Sequence, residues 1–448
     1  MLKWLPLLAR WARFLGPVVL LSACLPAAST TPTPGSVSRY PDPLPPEQPI
    51  TIRFESYLLA TAGPNREAQL QLLDQFSQRF PHIRVETKAT PSQEIVPSIR
   101  AQLAAGDPPD LAMLLLREWD LVVENIAPKP LEQIVPPEEL SAHLGGEFPF
   151  HPRALALTRR AGQLFGLPWV FSTPTLFYNA DLFRQAGLDP DRPPTTWDEV
   201  KQQGLQIARQ SGKPALYIAC LELDWCAQSL VFSNGGRLVS EDRRRTLWGE
   251  PAFIDTYRMW QDLVTSGVHA RLTGAEALDA FAAGNLAMYL DTSANQARLI
   301  AAARNRWELR TAGMPAFGTK PVKPVNSGAG LGILASDPRK QRAAWELMKF
   351  LTTPEAYVII TRDMGYLPLR TSLINDPRYL KDWAQGSLIL PNLQQLDGLE
   401  PSISYPGDNH VQIRDLFLKT QQAVVLQGAD PDRAWREAQA RAQELMPR

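Results

Sequence analysis

Between Ile50 and Leu116 the spacing of apolar residues switches repeatedly between two periods. Ile50, Ile52 and Phe54 alternate with Thr51, Arg53 and Glu55, the two-residue period of a strand with one buried face. Leu70, Leu73, Phe76 and Phe80 then recur at helical spacing. Pro81-His82 stops that helix before a second alternating run at Ile83, Val85 and Thr87. Ile95, Ile99 and Leu103 predict another helix ended by Gly106, and Asp110 to Leu116 is a near-continuous apolar strand. Strand, helix, strand, helix, strand with short connections predicts a parallel sheet covered by helices, an α/β lobe.

The middle of the chain repeats this style. Leu176-Phe177-Tyr178 predicts a strand, and Thr196-Trp197-Asp198-Glu199 is a capping box opening a helix. Ile254, Tyr257, Trp260 and Leu263 line one helix face, with Gly267 placed to end it. Leu278 and Phe281 lead through Gly284-Asn285 to a short strand at Leu286–Leu290. A Gly-rich strand, Ser327–Leu334, precedes a helix over 339–351, and two further helices follow, the second entered by Asp430-Pro431. Some 400 residues from Gln48 onward exceed what one core supports, so two domains are expected.

Before this region the pattern is of another kind. An apolar run from Phe14 to Ala23 follows Lys3, Arg10 and Arg13, the layout of a secretory signal over residues 1–23 and too short to span a bilayer. Leu21-Ser22-Ala23-Cys24 resembles a bacterial lipobox, which implies cleavage before Cys24 and a lipid on its sulfur. Residues 24–47 are rich in Pro, Ser, Thr and Ala and lack any apolar period, which predicts a semi-extended tether. Lys3, Arg10 and Arg13 are the only charged residues before Cys24. Their removal turns a chain with 46 basic and 46 acidic residues into one with three net negative charges. That balance offers no electrostatic footprint for nucleic acid. Cys220 and Cys226 suit either a local disulfide in an oxidising compartment or two buried thiols.

The common catalytic signatures HExxH, GxSxG, CxxC and the P-loop are absent, and the five histidines show no ligand spacing. No catalytic group, metal site or cofactor is therefore expected. Gly328-Ala329-Gly330-Leu331-Gly332 lacks the GxGxxG spacing and reads as a strand whose glycines let another backbone or a ligand approach.

Several segments, in order, resemble the family 1 extracellular solute-binding proteins, the capture subunits of carbohydrate-type ABC importers. They are Gly162–Trp169, Thr173–Asn179, Phe183–Leu188, Pro194–Trp197, Phe281–Met288, Ser327–Ile333 and Gly365–Pro368. The resemblance implies a two-lobed, type II periplasmic-binding-protein-like α/β fold with the ligand cleft between lobes. It places lobe one at 48–168 plus 312–362 and lobe two at 169–311 plus 363–448, with hinges near 168–169, 313–314 and 363–365. It further implies a monomer, tied to the membrane by lipid, that hands a small polar solute to permease subunits outside the cytoplasm.

Ser172-Thr173-Pro174 and Gln412-Ile413-Arg414 are similar to the members of that family that bind glycerol 3-phosphate. Their ligand contacts, carried over, fall on Ser172, Ser293, Gly328, Tyr366 and Arg414, with Glu118 as the acidic contact and Trp169 as an aromatic floor. Trp119 and Trp225 are further aromatic candidates. A guanidinium suits a phosphate bidentately, and hydroxyls and backbone N–H groups suit its remaining oxygens. The first lobe departs from the pattern, with Lys88 where a Tyr is expected and Arg117-Glu118 where a lone Glu is expected. Glycerol 3-phosphate or a glycerophosphodiester is thus the expected solute. The alternatives are a neutral sugar such as an α-glucoside and, in another class, a secreted glycoside-acting enzyme.

Overall fold

The computed structural model describes residues 44–60, 62–384 and 387–447. The predicted signal segment, Cys24 and all of the tether before Leu44 lie outside the described residues. β1 (Ile50–Ser56), β2 (Ile83–Ala89) and β3 (Leu111–Leu115) form the parallel part of the first sheet, each followed by a helix. β4 (Arg159–Arg160) and β5 (Gln163–Leu164) make a separate hairpin. β6 (Leu167–Ser172) and a later strand, β11 (Ser327–Ile333), complete the first sheet in the order β2-β1-β3-β11-β6, with β11 antiparallel to β3 and β6. Ile52 and Phe54 are fully buried, as the alternation predicts, and all of β3 is buried, as its continuous apolar run predicts.

β7 (Pro174–Asn179), β8 (Leu216–Ile218), β9 (Met288–Thr292) and β10 (Leu309–Ala312) form the second sheet in the order β10-β7-β9-β8. Its helices start and stop as their end residues dictate. Thr196 and Glu199 close a full capping box ahead of helix Trp197–Ser211. Gly267, at φ 78°, follows helix Pro251–Thr265, and the Asp430 side chain accepts from Arg433 N at the start of Pro431–Leu445. Cys220 and Cys226 are joined as a disulfide inside this lobe.

Two hydrophobic cores accompany the two sheets. One gathers residues from Leu44 to Phe171 and from Ala329 to Leu399; the other runs from Leu176 to Val325 and from Tyr405 to Met446. The chain therefore changes core at Thr173, between Val325 and Ser327, and between Leu399 and Tyr405. These crossings lie away from the expected boundaries at 168, 312 and 363, for a packing reason. Ala312 and Met314 pack in the second core, whereas Met364, Tyr366, Leu367 and Leu369 pack in the first. On the helix Pro64–Arg79 and its end, Leu73, Phe76 and Phe80 pack against the first core as their spacing suggests, and Leu70 alone departs. Leu72 and Phe76 are buried, while Leu70 is 45% exposed. Helix Pro354–Arg362 has no counterpart in the sequence reading.

Candidate functional site

The first crossing is a single residue, Thr173, between β6 and β7. Asn392 Nδ2 donates to Thr173 Oγ1 at 2.8 Å, and Ser293 N donates to Thr173 O at 3.0 Å. Ser172 Oγ accepts from Thr292 Oγ1 at 2.8 Å, so the end of β6 is tied to the end of β9. On the adjacent strand Gly328 stands opposite Phe171 at φ 106°, where a Cβ would lie 2.0 Å from Val170 O. Leu367 N donates to Phe171 O at 2.9 Å, which brings the preceding Tyr366 to the same place. Four expected contacts, Ser172, Ser293, Gly328 and Tyr366, are thus assembled around one crossing. Ser172 and Ser293 are almost fully buried, and Ser293 Oγ has no hydrogen-bond partner.

Two cavities open between elements of the two lobes. One, of about 520 Å³, is lined by Tyr57, Asn65, Met364 and Tyr366 from the first lobe, with Asn295 and Arg298 opposite. Burial pushes the Tyr366 phenol up to about 12, partly offset by Tyr57, which faces it. Burial raises Tyr57 further, while the Arg117 charge acts the other way. Arg117 in turn lines the second cavity, of about 430 Å³, together with Arg100 and Glu118 from the first lobe and His410 and Arg414 from the second. Glu118 Oε1 lies 3.8 Å from Arg414 Nη1, so two expected residues meet across the lobes.

The aromatic expectations are corrected. Trp169 is fully buried in the first core, where its indole N–H donates to Leu351 O at 2.9 Å and its ring lies 6.3 Å from that of Phe54. Trp119 is likewise buried, donating to Thr158 O, and the missing side chains of Gly166 and Gly330 leave room for its ring. Trp225 belongs to the second core. A large ring satisfied by core neighbours leaves no face for a solute. Lys88 lines neither cavity. Its ammonium donates to Ser98 Oγ at 2.8 Å and lies 3.5 Å from the buried carboxylate of Glu55, whose oxygens also accept from Thr90, Ser98 and Gln102.

Tyr57, Arg100 and His410 were not singled out in the sequence. Tyr57 follows β1 directly, and in open α/β sheets the crevice beyond the carboxyl ends of strands is where ligands bind. That rule was the available signal.

The pattern of bacterial extracellular solute-binding proteins matches residues 63–358. The chain belongs to this family. A putative binding protein of Brucella abortus is 22% identical over 387 residues, covering 83% of this chain and 88% of the relative. The sn-glycerol-3-phosphate-binding periplasmic protein UgpB of the same species is 26% identical over 285 residues, 59% of this chain and 63% of the relative. Among solved structures, UgpB from Mycobacterium tuberculosis in complex with glycerophosphocholine superposes with a TM-score of 0.75 at 24% identity, covering 88% of this chain and 98% of that one. The cyclic alpha-maltosyl-1,6-maltose binding protein from Arthrobacter globiformis gives 0.75 at 21%, covering 89% and 99%. The two-lobed α/β binding-protein fold is therefore shared with both. As a family member the chain is a solute-binding component of an ABC importer, works outside the cytoplasm, and is not an enzyme. Among the described residues no helix is long and apolar enough to cross a membrane.

Proposed function

We propose that this chain is a monomeric lipoprotein, anchored through Cys24, that captures glycerol 3-phosphate or a glycerophosphodiester and delivers it to a permease. The observation that carries this reading is the cavity shared by Glu118 of one lobe and Arg414 of the other. A solute held by both lobes stabilises the closed form by its differential affinity, and closure is the signal a permease can read. The guanidinium of Arg414 supplies the planar, permanently charged fork that phosphate recognition requires. The relatives named for sn-glycerol 3-phosphate and the structure holding glycerophosphocholine support the same chemistry. Lipid on Cys24, with a second acyl chain, would hold the tether stably at a bilayer, since each buried CH₂ contributes about 0.8 kcal/mol.

A second reading, a neutral oligosaccharide, is favoured by the paired phenols of Tyr57 and Tyr366 in the larger cavity, whose faces and hydroxyls suit a sugar ring. A thermal-shift screen separates the two. A ligand at a hundred times its Kd adds about 2.7 kcal/mol, which moves Tm by a few degrees. A shift with glycerol 3-phosphate or glycerophosphocholine and none with maltose, trehalose or longer glucosides supports the first reading. The reverse pattern overturns it in favour of the second.

A further inference from the structure

Arg117 of the first lobe and Arg414 of the second address the same atom. Arg117 Nη2 lies 3.3 Å and Arg414 Nη1 3.8 Å from Glu118 Oε1. Both separations exceed the roughly 2.7–2.9 Å of a charge-assisted hydrogen bond. One carboxylate oxygen thus stands between two guanidinium groups without engaging either fully. Arg100 lines the same cavity, so three arginines line it with one glutamate, and Arg414 Nη2 has besides only Asp415 Oδ1 of its own helix, at 3.9 Å. Arg117 Nε is buried with no hydrogen-bond partner, and so is Nδ1 of His410 on the opposite wall. The helix His410–Val425 begins at that wall, and no side chain caps its first turn. Arginine forks with spare donors, an excess of positive charge and an uncapped helix start all favour a bound anion.

We propose that Arg117 is the first lobe's half of a two-arginine clamp on the phosphate of the solute, opposite Arg414. Arg117 is then a specificity-determining residue, standing where the glycerol-3-phosphate-binding pattern has no arginine. The clamp makes closure depend on the charge of the solute. Closing the empty cleft brings a second guanidinium to a carboxylate that already faces one. Closing it on a phosphate supplies the acceptor oxygens both forks lack. A neutral sugar offers no such compensation, so it gains nothing from Arg117. This inference rests on the reading of the solute as a phosphorylated glycerol, and the test is arranged so that the two can fail separately.

The test is calorimetric titration of the full chain in detergent, with glycerophosphocholine, sn-glycerol 3-phosphate and maltose at low and high salt. The wild type is compared with Arg117→Gln, Arg117→Lys and Arg414→Gln, each first checked for an unchanged circular dichroism spectrum. Arg117→Gln is expected to weaken the phosphorylated ligands by roughly tenfold to a hundredfold, the loss typical of a charge-assisted hydrogen bond. It should also flatten their salt dependence, and Arg117→Lys should restore part of the affinity. If Arg414→Gln abolishes binding of the phosphorylated ligands while both Arg117 variants bind them like the wild type, the clamp is overturned and the proposed solute stands. If the wild type binds maltose and neither phosphorylated ligand, the solute reading fails and the clamp fails with it.

Discussion

Arg243, on a turn of the second lobe, donates its guanidinium N–H to the carboxylate of Asp120 at the start of a first-lobe helix, forming an ion pair between the lobes. Asp120 also accepts from Arg160 of its own lobe at 2.6 Å, and Arg243 reaches back to Ser404 O at 3.1 Å near the third crossing. Burial would raise the Asp120 pKa, but the charges of Arg160 and Arg243, with their hydrogen bonds, outweigh it and hold the carboxyl below its usual range. The pair links the lobes through protein groups alone. Part of the cost of ordering the closed form is then met before the ligand arrives, and apparent affinity rises with the fraction of competent protein.

Removing either partner should therefore weaken every ligand by the same factor, whatever its chemistry. Arg243→Ala and Asp120→Asn are each expected to lower apparent affinity by about fivefold to thirtyfold, a coupling of roughly 1–2 kcal/mol for a partly buried pair. The double variant should be no worse than the poorer single one. Calorimetry with a phosphorylated and a neutral ligand checks this. A loss confined to one ligand class would show that the pair belongs to the recognition chemistry and not to closure.

Gly328 is required by backbone geometry, whatever the ligand. Its φ of 106° strains any other residue, and a Cβ there would meet Val170 O at 2.0 Å across the β11–β6 pairing. Gly328→Ala should destabilise the protein by about 3 kcal/mol or more, combining backbone strain with overpacking. Gly428, with φ 76° and open space around its Cβ position, is the matched control and should lose only the strain component. Urea denaturation of the two variants measures the difference.

These cases show what the amino-acid pattern can and cannot specify. Ile52, Phe54 and β3 were legible because a strand has only two faces and burial selects one, or both, of them. The capping box at Thr196 and Glu199 was legible because the two hydrogen bonds need residues at fixed spacing. Leu70 misled because an apolar residue at helical spacing joins a face only if the neighbouring core reaches it, and here the core takes Leu72 beside Phe76 and leaves Leu70 exposed. Residues 364–399 carry short helices and turns with no sustained period, so nothing local announces that they pack in the first core. The crossing residues Ser172, Ser293, Gly328 and Tyr366 were reached through motif context. Trp169 was reached the same way and proved to be core, since a motif does not say which side of a strand faces the cleft. Arg117 stood in the sequence only as a departure beside Glu118, and Tyr57 not at all, because only the assembled lobes bring residues so distant in sequence from Arg414 and Asn295 to the same cavities.

Away from the cleft, Glu139 organises a cluster that should set the acid limit of the first lobe. It accepts from Arg342 Nη1 at 2.6 Å, Lys349 Nζ at 2.7 Å and Trp345 Nε1 at 2.9 Å. Burial opposes its charge, but these bonds prevail and hold its pKa at about 2, against 4.5 ordinarily. Its folded-state pKa is depressed, so its contribution is fully present above about 4.5 and disappears as pH falls towards about 2. Glu139→Gln leaves the nearly buried Arg342 with Glu346 alone and should cost about 1–3 kcal/mol at neutral pH. Thermal melts at pH 7 and pH 3 check the sign. The gap between variant and wild type should be open at the first and clearly narrower at the second.

Ser293 offers the sharpest separation of a structural role from a binding one. Its hydroxyl is buried and has no hydrogen-bond partner within the protein, whereas its backbone N–H is committed to Thr173 O at the crossing. Replacing the side chain with a methyl group removes no intramolecular hydrogen bond and relieves an unsatisfied polar atom, a change that is typically neutral to stabilising by about 1 kcal/mol. Ser293→Ala should therefore keep or raise Tm without solute, and the backbone bond that fixes the crossing is untouched. If the hydroxyl is reserved for the solute, the same variant should bind roughly tenfold more weakly, since the ligand atom that met it is left without a partner. Melting the variant with and without saturating ligand measures both effects in one series. A smaller ligand-induced shift on an unchanged or higher starting Tm assigns Ser293 to recognition. A lower starting Tm with an unchanged ligand-induced shift assigns it to the architecture of the crossing.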